Sequence, residues 1–428
     1  MERRWILSAV AALAVSAPVM AEELAPATAP EPAAPVASSM PESAAPTEQP
    51  AASEAPKEAP SDAPVRLAQA TPAPAPAAAP AEEAPKTPKF TFGGQTDFYF
   101  TSNLNNPWNG KNGLRAWDIK DEHGPHLGLI ELWGEYARDP IGGRIDLNFG
   151  STARLNGSTE QADADWLQYF QQAYISANLT KDGKNWIDFG KYVTPIGAEV
   201  IEPAGNWLYS QGVMFTWPIP FWHFGGRITH KFNDTDWVMV HVNNGWGTVT
   251  RPADAGPNFG ITGSKVFSPQ WTVTGSYLGG ENFAGINEPS WRHLLNSVVA
   301  YKPSESSKFS YLFDLTLGLQ NNFALEPGND STATWYGIQA QTKYAFKPNQ
   351  YATARFEYLH DGDGALFGND LDVFTFTAGY TRVFNKHFQA RAEYRHDLTG
   401  GGKAFADERR GTFTADQGTF ILGAIVTY

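Results

Sequence analysis

The sequence predicts an all-β protein, a membrane-spanning antiparallel up-and-down β-barrel of about 16 strands, preceded by a disordered Ala/Pro-rich segment. Segments of about ten residues alternate between apolar and polar side chains, which is the period of a strand with two different faces. Short turns and long loops alternate between these segments. The last segment, "TFILGAIVTY", puts Phe420, Leu422, Ala424, Val426 and Tyr428 on one face and ends the sequence.

Composition excludes several classes of function. The 428 residues carry a net charge of -13 and no Cys. An acidic chain without a basic stripe is a poor match for nucleic acid. The absence of Cys excludes disulfides, thiolate metal sites and Cys nucleophiles.

The N-terminal 88 residues differ from the rest. Arg3 and Arg4 precede a short apolar run that ends at Val19 and Ala21, which predicts a signal peptide over residues 1–21 with cleavage after Ala21. Ala and Pro make up more than half of residues 22–88, and aromatic residues are absent there. This composition predicts a disordered linker, which the signal peptide would deliver to the periplasm.

The barrel is predicted to occupy residues 89–428. In "IGGRIDLNFG", for example, Ile141, Ile145 and Leu147 lie on one face, opposite Arg144 and Asp146. The predicted strands are 90–101, 126–138, 141–151, 167–180, 184–192, 221–232, 235–244, 258–267, 270–280, 291–302, 307–320, 333–346, 350–360, 371–384, 387–397 and 417–428.

Seven short turns and eight long loops join these strands, as in a barrel whose two termini lie on the short-turn side. Outer-membrane barrels have short periplasmic turns and long extracellular loops. An open sheet edge would leave unpaired backbone groups in hydrocarbon at a cost of several kcal/mol each. The last strand is therefore expected to pair with the first, "FTFGGQTDFYF", and Tyr428 to lie in the periplasmic aromatic girdle.

Sixteen strands enclose a lumen wide enough for an aqueous channel. The strand period directs many charged side chains inward, where water or a partner must reach them. The candidate pore-lining residues from this pattern are Glu131, Glu135, Arg144, Asp146, Arg227, Arg355, Glu357, Arg391, Glu393 and Arg395. Ion pairs that only stabilise the wall, such as Arg355 with Glu357 or Arg391 with Glu393, are the alternative.

The third long loop, residues 193–220, is apolar, aromatic and rich in Pro. Such a loop is unexpected in solvent, so we predict that it folds into the lumen and narrows the channel. Glu199 and Glu202 on it would then face Arg144, Arg227 and Arg391 across the lumen. Packing of this loop on the extracellular rim is the alternative.

The segments "GKYVTPIGAEVIEPAGNWLYSQG", "PFWHFGGRITHKF" and "VHVNNGW" resemble the OmpL-like family of putative β-barrel porins of Gram-negative bacteria. The resemblance covers residues 90–428. It implies an outer-membrane barrel with porin activity. It points to Glu199, Glu202, Asn206, Tyr209 and Arg227, without a catalytic role for any of them.

The sequence thus predicts passive diffusion of small hydrophilic solutes through a water-filled barrel in the outer membrane. Its expected partners are outer-membrane lipid and the assembly machinery, which would read the C-terminal strand ending in Tyr428; self-association into a homo-oligomer stays open. We expect no enzyme activity and no cofactor, because we find no local Ser/His or Asp/His signature. A calcium loop at "DGDG" (361–364) lacks the required Gly.

Two alternative functions remain. A solute-specific channel, for example for sugars, could stack its solute on an inward aromatic ladder of Tyr99, Trp133, Tyr174 and Trp335. A structural envelope tether or adhesin would have a plugged barrel and no conductance.

Overall fold

The computed structural model describes residues 89–116, 124–156, 162–249, 256–282, 290–323 and 331–428. The predicted signal peptide, 1–21, and the predicted linker, 22–88, lie outside these residues. Among the residues described, no helix is long and apolar enough to cross a membrane.

Sixteen antiparallel strands form one closed barrel, which confirms the predicted fold class. The barrel strands are β1 (Phe90–Asn103), β2 (Pro125–Tyr136), β3 (Ile141–Phe149), β4 (Phe170–Asn178), β5 (Asn185–Val193), β6 (Trp222–Lys231), β7 (Trp237–Asn243), β8 (Asn258–Ser268), β9 (Trp271–Asn282), β10 (Ser290–Tyr301), β11 (Phe309–Phe323), β12 (Ser331–Lys347), β13 (Gln350–Asp361), β14 (Leu371–Asn385), β15 (Phe388–Gly400) and β18 (Asp416–Thr427). A separate two-stranded sheet, β16 (Phe405–Asp407) with β17 (Thr412–Thr414), lies in the last long loop, and the sequence pattern did not indicate it.

The barrel closes where the last strand pairs with the first. Residues 419–427 of β18 are antiparallel to residues 95–103 of β1. Tyr428 and Gly94 extend the ladder, with N–H···O distances of 2.9 and 3.0 Å. The Tyr428 ring lies over Gly94, where an added Cβ would be 2.7 Å from the ring. A side chain at residue 94 would therefore clash with the backbone carbonyl of Glu131, 2.1 Å from the added Cβ, as well as with the terminal aromatic ring.

Burial alternates along the strands as the period-two pattern predicts. On β18, Phe420 and Leu422 are exposed on the outer wall, whereas Ile421 and Ile425 are buried inside. An antiparallel strand puts successive side chains on opposite faces. The outer wall is consequently apolar, and the charged residues of the sequence pattern face the lumen.

Short and long connections alternate as expected, with one local difference in the second long connection. The fourth strand was predicted from residue 167 but begins at Phe170, because Ala162–Tyr169 forms a 3-10 helix after the short α-helix Ser151–Asn156. Trp166 packs edge-on against Phe170 at a centroid distance of 5.9 Å. Trp166 therefore belongs to the loop and Phe170 begins the strand, although Trp166 extends the apolar pattern of the strand.

Candidate functional site

The connection between β5 and β6, residues 194–221, lies inside the barrel. Its apolar side chains Ile196, Ile201, Phe215 and Ile219 form one buried cluster with inward residues of the wall, namely Leu278, Leu294 and Trp335. The apolar composition that predicted insertion is thus explained by packing against the inner wall. We call residues 194–221 the inserted loop.

Two arginine side chains of β15 bind the backbone of the inserted loop. Arg391 donates to the carbonyl oxygens of Pro203, Asn206 and Leu208 at 2.8, 2.7 and 2.6 Å. Arg395 donates to the carbonyl of Gln211 at 2.7 Å and to Asp397 at 2.7 Å. These two guanidinium groups hold the loop and are not free charges in a channel.

Wall carboxylates accept the backbone N–H groups of the same loop. Glu393 accepts from the N–H groups of Tyr209 and Ser210 and from the Ser210 hydroxyl. Glu357 accepts from the Met214 N–H at 3.1 Å. Among the residues described, no ion pair joins Arg391 to Glu393, so that predicted wall pair is wrong.

These contacts have a common physical cause. Apart from Pro203–Gly205 and Val213–Thr216, the inserted loop has no helix or strand, so its backbone lacks regular partners. A buried backbone N–H or C=O without a partner costs about as much as a lost hydrogen bond. The charged side chains of β13 and β15 supply many of these partners, and Asn296 of β10 and Asp314 of β11 accept from the N–H groups of Gly197 and Ala198.

Glu199 makes the central ion pair of the loop. Its carboxylate is 2.6 Å from Arg355 Nη1 and accepts from the Gly212 N–H at 2.6 Å. Arg355 is also 3.0 Å from Glu357. The expectation that Glu199 faces Arg144, Arg227 or Arg391 is therefore wrong, whereas the predicted Arg355–Glu357 pair is present.

Three inward glycines receive side chains of the inserted loop. A Cβ added to Gly337, Gly379 or Gly423 would be 2.3–2.5 Å from Met214, Leu208 and Tyr209, respectively. A strand position without a side chain permits such a close approach. We call these three glycines the glycine sockets. Their spacing gave no sequence signal, because each socket lies on a different strand.

Asn206 and Tyr209, which the resemblance implied, hold the loop in two ways. The Asn206 side chain bonds the N–H and the carbonyl of Val200 at 3.0 and 2.8 Å, which closes the turn around Pro203. The Tyr209 hydroxyl donates to Asp97 on β1. The loop thus reaches from β5 across the lumen to the seam where the barrel closes.

Glu202 is placed differently from Glu199. It accepts from the Gln171 side chain, and among the residues described it has no ion pair. The register of β3 and β4 shifts at Asp146 and Leu147, and this bulge turns Gln171 inward next to Gln172. A bulge commonly redirects one side chain in this way. Burial raises the pKa of the Glu202 carboxyl above its ordinary value.

Two further arginines lie on the wall, one paired with two carboxylates and the other with one. Arg144 is 2.7 Å from Asp146 and 3.4 Å from Glu135. Arg227 is 2.8 Å from Asp188, and its guanidinium lies 4.3 Å from the Tyr192 ring centroid.

Two of the four inward aromatic residues also contact these cations. Trp133 lies under Arg144 at 4.9 Å, and Tyr174 lies under Arg227 at 5.1 Å. Tyr99 and Trp335 are buried in the apolar clusters around the inserted loop. The four rings thus pack against neighbouring side chains, and a sugar-stacking ladder stays a prediction that no contact supports.

The first long loop also enters the barrel, which the sequence did not indicate. Arg115 donates to Asp397 at 2.8 Å and to Thr419 at 3.0 Å. Leu114 and Ala116 on either side of Arg115 pack against the buried clusters, but two apolar neighbours within a loop of mixed composition were too weak a signal to predict this insertion.

The segment "DGDG" (361–364), which was considered as a calcium loop, forms a turn whose hydrogen bonds explain the position of Asp361. Asp361 accepts the backbone N–H groups of Ala365, Leu366 and Phe367 at 2.8–2.9 Å. Its carboxylate therefore stabilises the turn after β13.

Solved structures of similar fold are outer-membrane proteins. OmpT of Vibrio cholerae, folded in vitro, matches with a TM-score of 0.53 at 12% identity, over 81% of this chain and 100% of that chain. The outer membrane channel DcaP of Acinetobacter baumannii matches with a TM-score of 0.52 at 13% identity, over 79% and 97%. OmpF of Salmonella typhi, in complex with daunomycin, matches with a TM-score of 0.51 at 11% identity, over 79% and 97%.

Sequence comparison gives the family. No curated protein sequence matches the chain. The family model described as "Putative beta-barrel porin-2, OmpL-like" matches residues 89–428, which is the whole barrel and confirms the resemblance. With its closed 16-stranded barrel and inserted loop, the chain belongs to this family of porin-like barrels of the outer membrane.

Proposed function

We propose that the protein conducts small hydrophilic solutes by passive diffusion and that the inserted loop forms the constriction. The observation that carries the proposal is the anchoring of this loop across the lumen by Arg355, Arg391 and Glu393. A loop held by so many buried charged groups is a fixed part of the lumen. Solutes then pass beside it, and selectivity depends on pore width and wall charge.

The conducting space lies on the side of Glu202, Arg144 and Arg227. The described contacts of the inserted loop concentrate on β9–β15, β18 and β1, whereas Glu202 contacts β4. Arg144, within electrostatic range of Glu202, and Arg227 line the facing wall. We propose that Glu135 and Arg144, whose side chains are partly exposed, line this space directly. Glu202, Glu131, Asp146 and Arg227 are buried in the wall and loop on the same side, and the other candidates position the loop.

Cysteine labelling tests this proposal, because the chain contains no Cys. Ala204→Cys puts one thiol on the half-buried tip of the inserted loop, and Ser306→Cys puts one in an exposed short turn. A cationic methanethiosulfonate reagent should reduce the single-channel current of the first variant only. An unchanged current from Ala204→Cys protein that mass spectrometry shows to be labelled would reject the loop as the constriction.

We also propose roles for the N-terminal segments and the last strand. Residues 1–21 are removed as a signal peptide, residues 22–88 extend into the periplasm, and the assembly machinery reads the strand ending in Tyr428. The barrel has no catalytic activity. Mass spectrometry of the protein from outer membranes should give an N-terminus at Glu22, and a retained N-terminal segment would contradict this processing.

We also propose that the barrel self-associates. The outer face of β2–β4 forms an apolar groove lined by Gly134, Gly143, Ala173 and Ile175, which would let a second copy approach closely. One structure of OmpT is described as a trimer form. Native mass spectrometry in detergent should show an oligomer, and a monomer at all concentrations would reject this point.

A further inference from the structure

A row of oxygen-bearing side chains crosses the inner wall of β1–β4. Gln95 on β1 lies directly opposite Glu131 on β2, and Glu131 lies directly opposite Asn148 on β3. Asn148 in turn donates to Gln171 on β4. All four side chains are buried. The row ends at the inserted loop, where Gln171 donates to Glu202.

The two carboxylates fix the direction of the amides. An ionised carboxylate only accepts hydrogen bonds, so the amide beside it must present its NH₂ group. Gln95 therefore donates to Glu131, at 2.9 Å. Gln171 donates to Glu202 and thereby presents its carbonyl oxygen to the NH₂ group of Asn148.

This arrangement leaves two carbonyl oxygens without a donor. Gln95 Oε1 and Asn148 Oδ1 are buried and make no hydrogen bond, in side chains that are 3% and 0% exposed. Rotating either amide group by half a turn would place its oxygen next to another hydrogen-bond acceptor, Glu131 for Gln95 and Gln171 Oε1 for Asn148. A buried polar atom without a partner is costly, so both oxygens require a positively charged or proton-donating neighbour.

The described residues supply no cation for the two carboxylates. Glu131 and Glu202 lie within electrostatic range of each other and of Asp146, yet neither forms an ion pair in the part of the chain that the structure describes. Arg144 is within electrostatic range of both carboxylates, but its ion pairs are with Asp146 and Glu135. When both carboxylates are ionised, no ion pair among the described residues balances their charge beside the two amide oxygens.

We propose that this row binds a hard divalent cation, Ca²⁺, between Glu131 and Asn148, with Gln95 Oε1 and Glu202 completing its oxygen ligands. Ca²⁺ takes carboxylate and amide oxygens together with water in a flexible geometry, whereas Mg²⁺ requires a near-ideal octahedron. Two carboxylates balance its charge. The described residues contain no cluster of three or more acidic, His or Cys ligands, so water supplies the remaining positions and binding is weak.

Calorimetric titration of the purified full chain with CaCl₂ in detergent tests the proposal independently of conduction. We expect one site with a dissociation constant of about 10⁻⁴ to 10⁻³ M. Glu131→Gln should weaken binding about tenfold or more, because ligand charge sets calcium affinity. Glu135→Gln, the same change on the same strand and face but paired with Arg144, should leave binding unchanged.

Asn148→Leu, which keeps the branching and the number of side-chain heavy atoms and removes the oxygen, gives a second variant. A heat-dependent shift in gel mobility identifies folded protein. Absence of Ca²⁺ binding to the native chain overturns the proposal, as does equal binding by folded Glu131→Gln or folded Asn148→Leu. Tighter binding of MgCl₂ than of CaCl₂ overturns the assignment to Ca²⁺. A conducting pore that binds no Ca²⁺ would reject the cation site and leave the proposed function intact.

Discussion

At the scale of single residues, the charged groups of the lumen have a more specific task than lining a pore. The alternation of side chains along β15 predicts that Arg391 and Glu393 point inward, and the structure confirms this. Their partners include backbone atoms of the inserted loop, 183 residues away along the chain. No side-chain pattern marks a backbone carbonyl as a partner, so the sequence could give the direction of these residues but not their contacts.

The glycine sockets provide the sharpest residue-scale prediction. In Gly423→Val the new Cβ would lie 2.4 Å from the Tyr209 ring and displace that end of the inserted loop. Overpacking of this kind costs about 1–3 kcal/mol. We expect chymotrypsin to cleave the loop in folded Gly423→Val and to leave the wild-type loop intact.

Gly275→Val is the matched control, because a Cβ added to Gly275 meets no atom within 4 Å. This variant should resist cleavage in the same way as the wild type. Equal protection of the loop in Gly423→Val would show that the socket is not needed to hold it.

At the scale of elements, the strands were predictable and the inserted loop was only partly so. The positions of the strands followed from alternation, because each strand faces lipid on one side and the lumen on the other, although some ends differed, as at Phe170. Insertion of residues 194–221 followed from their apolar composition. The Glu199–Arg355 pair could not be predicted. Arg355 points inward by the strand period, and so do Arg144, Arg227 and Arg391, which we expected as partners instead. The bulge at Gln171 was also missed, because a single extra residue hardly changes the pattern.

The central ion pair makes the inserted loop a single rigid element. Arg355 is fully buried, contacts Glu199 and Glu357, and donates to the Ser210 carbonyl at 2.6 Å. Arg355→Met would leave two buried carboxylates without their cation, a loss of about 3–5 kcal/mol. We expect a lower urea midpoint in detergent and larger current fluctuations than in the wild type.

Arg382→Met, on the exposed face of β14, removes the same charge outside the lumen. It should retain the wild-type urea midpoint and current noise. If both variants behave alike, the ion pair does not hold the loop.

At the scale of the whole molecule, closure of the barrel satisfies the backbone in the lipid but leaves an interior that must be filled. Closure through β1 and β18 removes every sheet edge from the lipid, and it creates an interior that water, side chains or loops must fill. In the part of the chain that the structure describes, the inserted loop and the first long loop both enter it, and wall charges bind polar groups of each. Whether space for solutes remains beside the inserted loop distinguishes a porin from a plugged envelope tether.

Single-channel conductance of the purified full chain in a planar lipid bilayer, in potassium chloride, tests the central claim most directly. The proposed pore predicts stable current steps that increase linearly with voltage. Absence of current steps from folded protein inserted in the bilayer would contradict the pore, with folding shown by a heat-dependent shift in gel mobility. The plugged tether would then be the better account of this barrel.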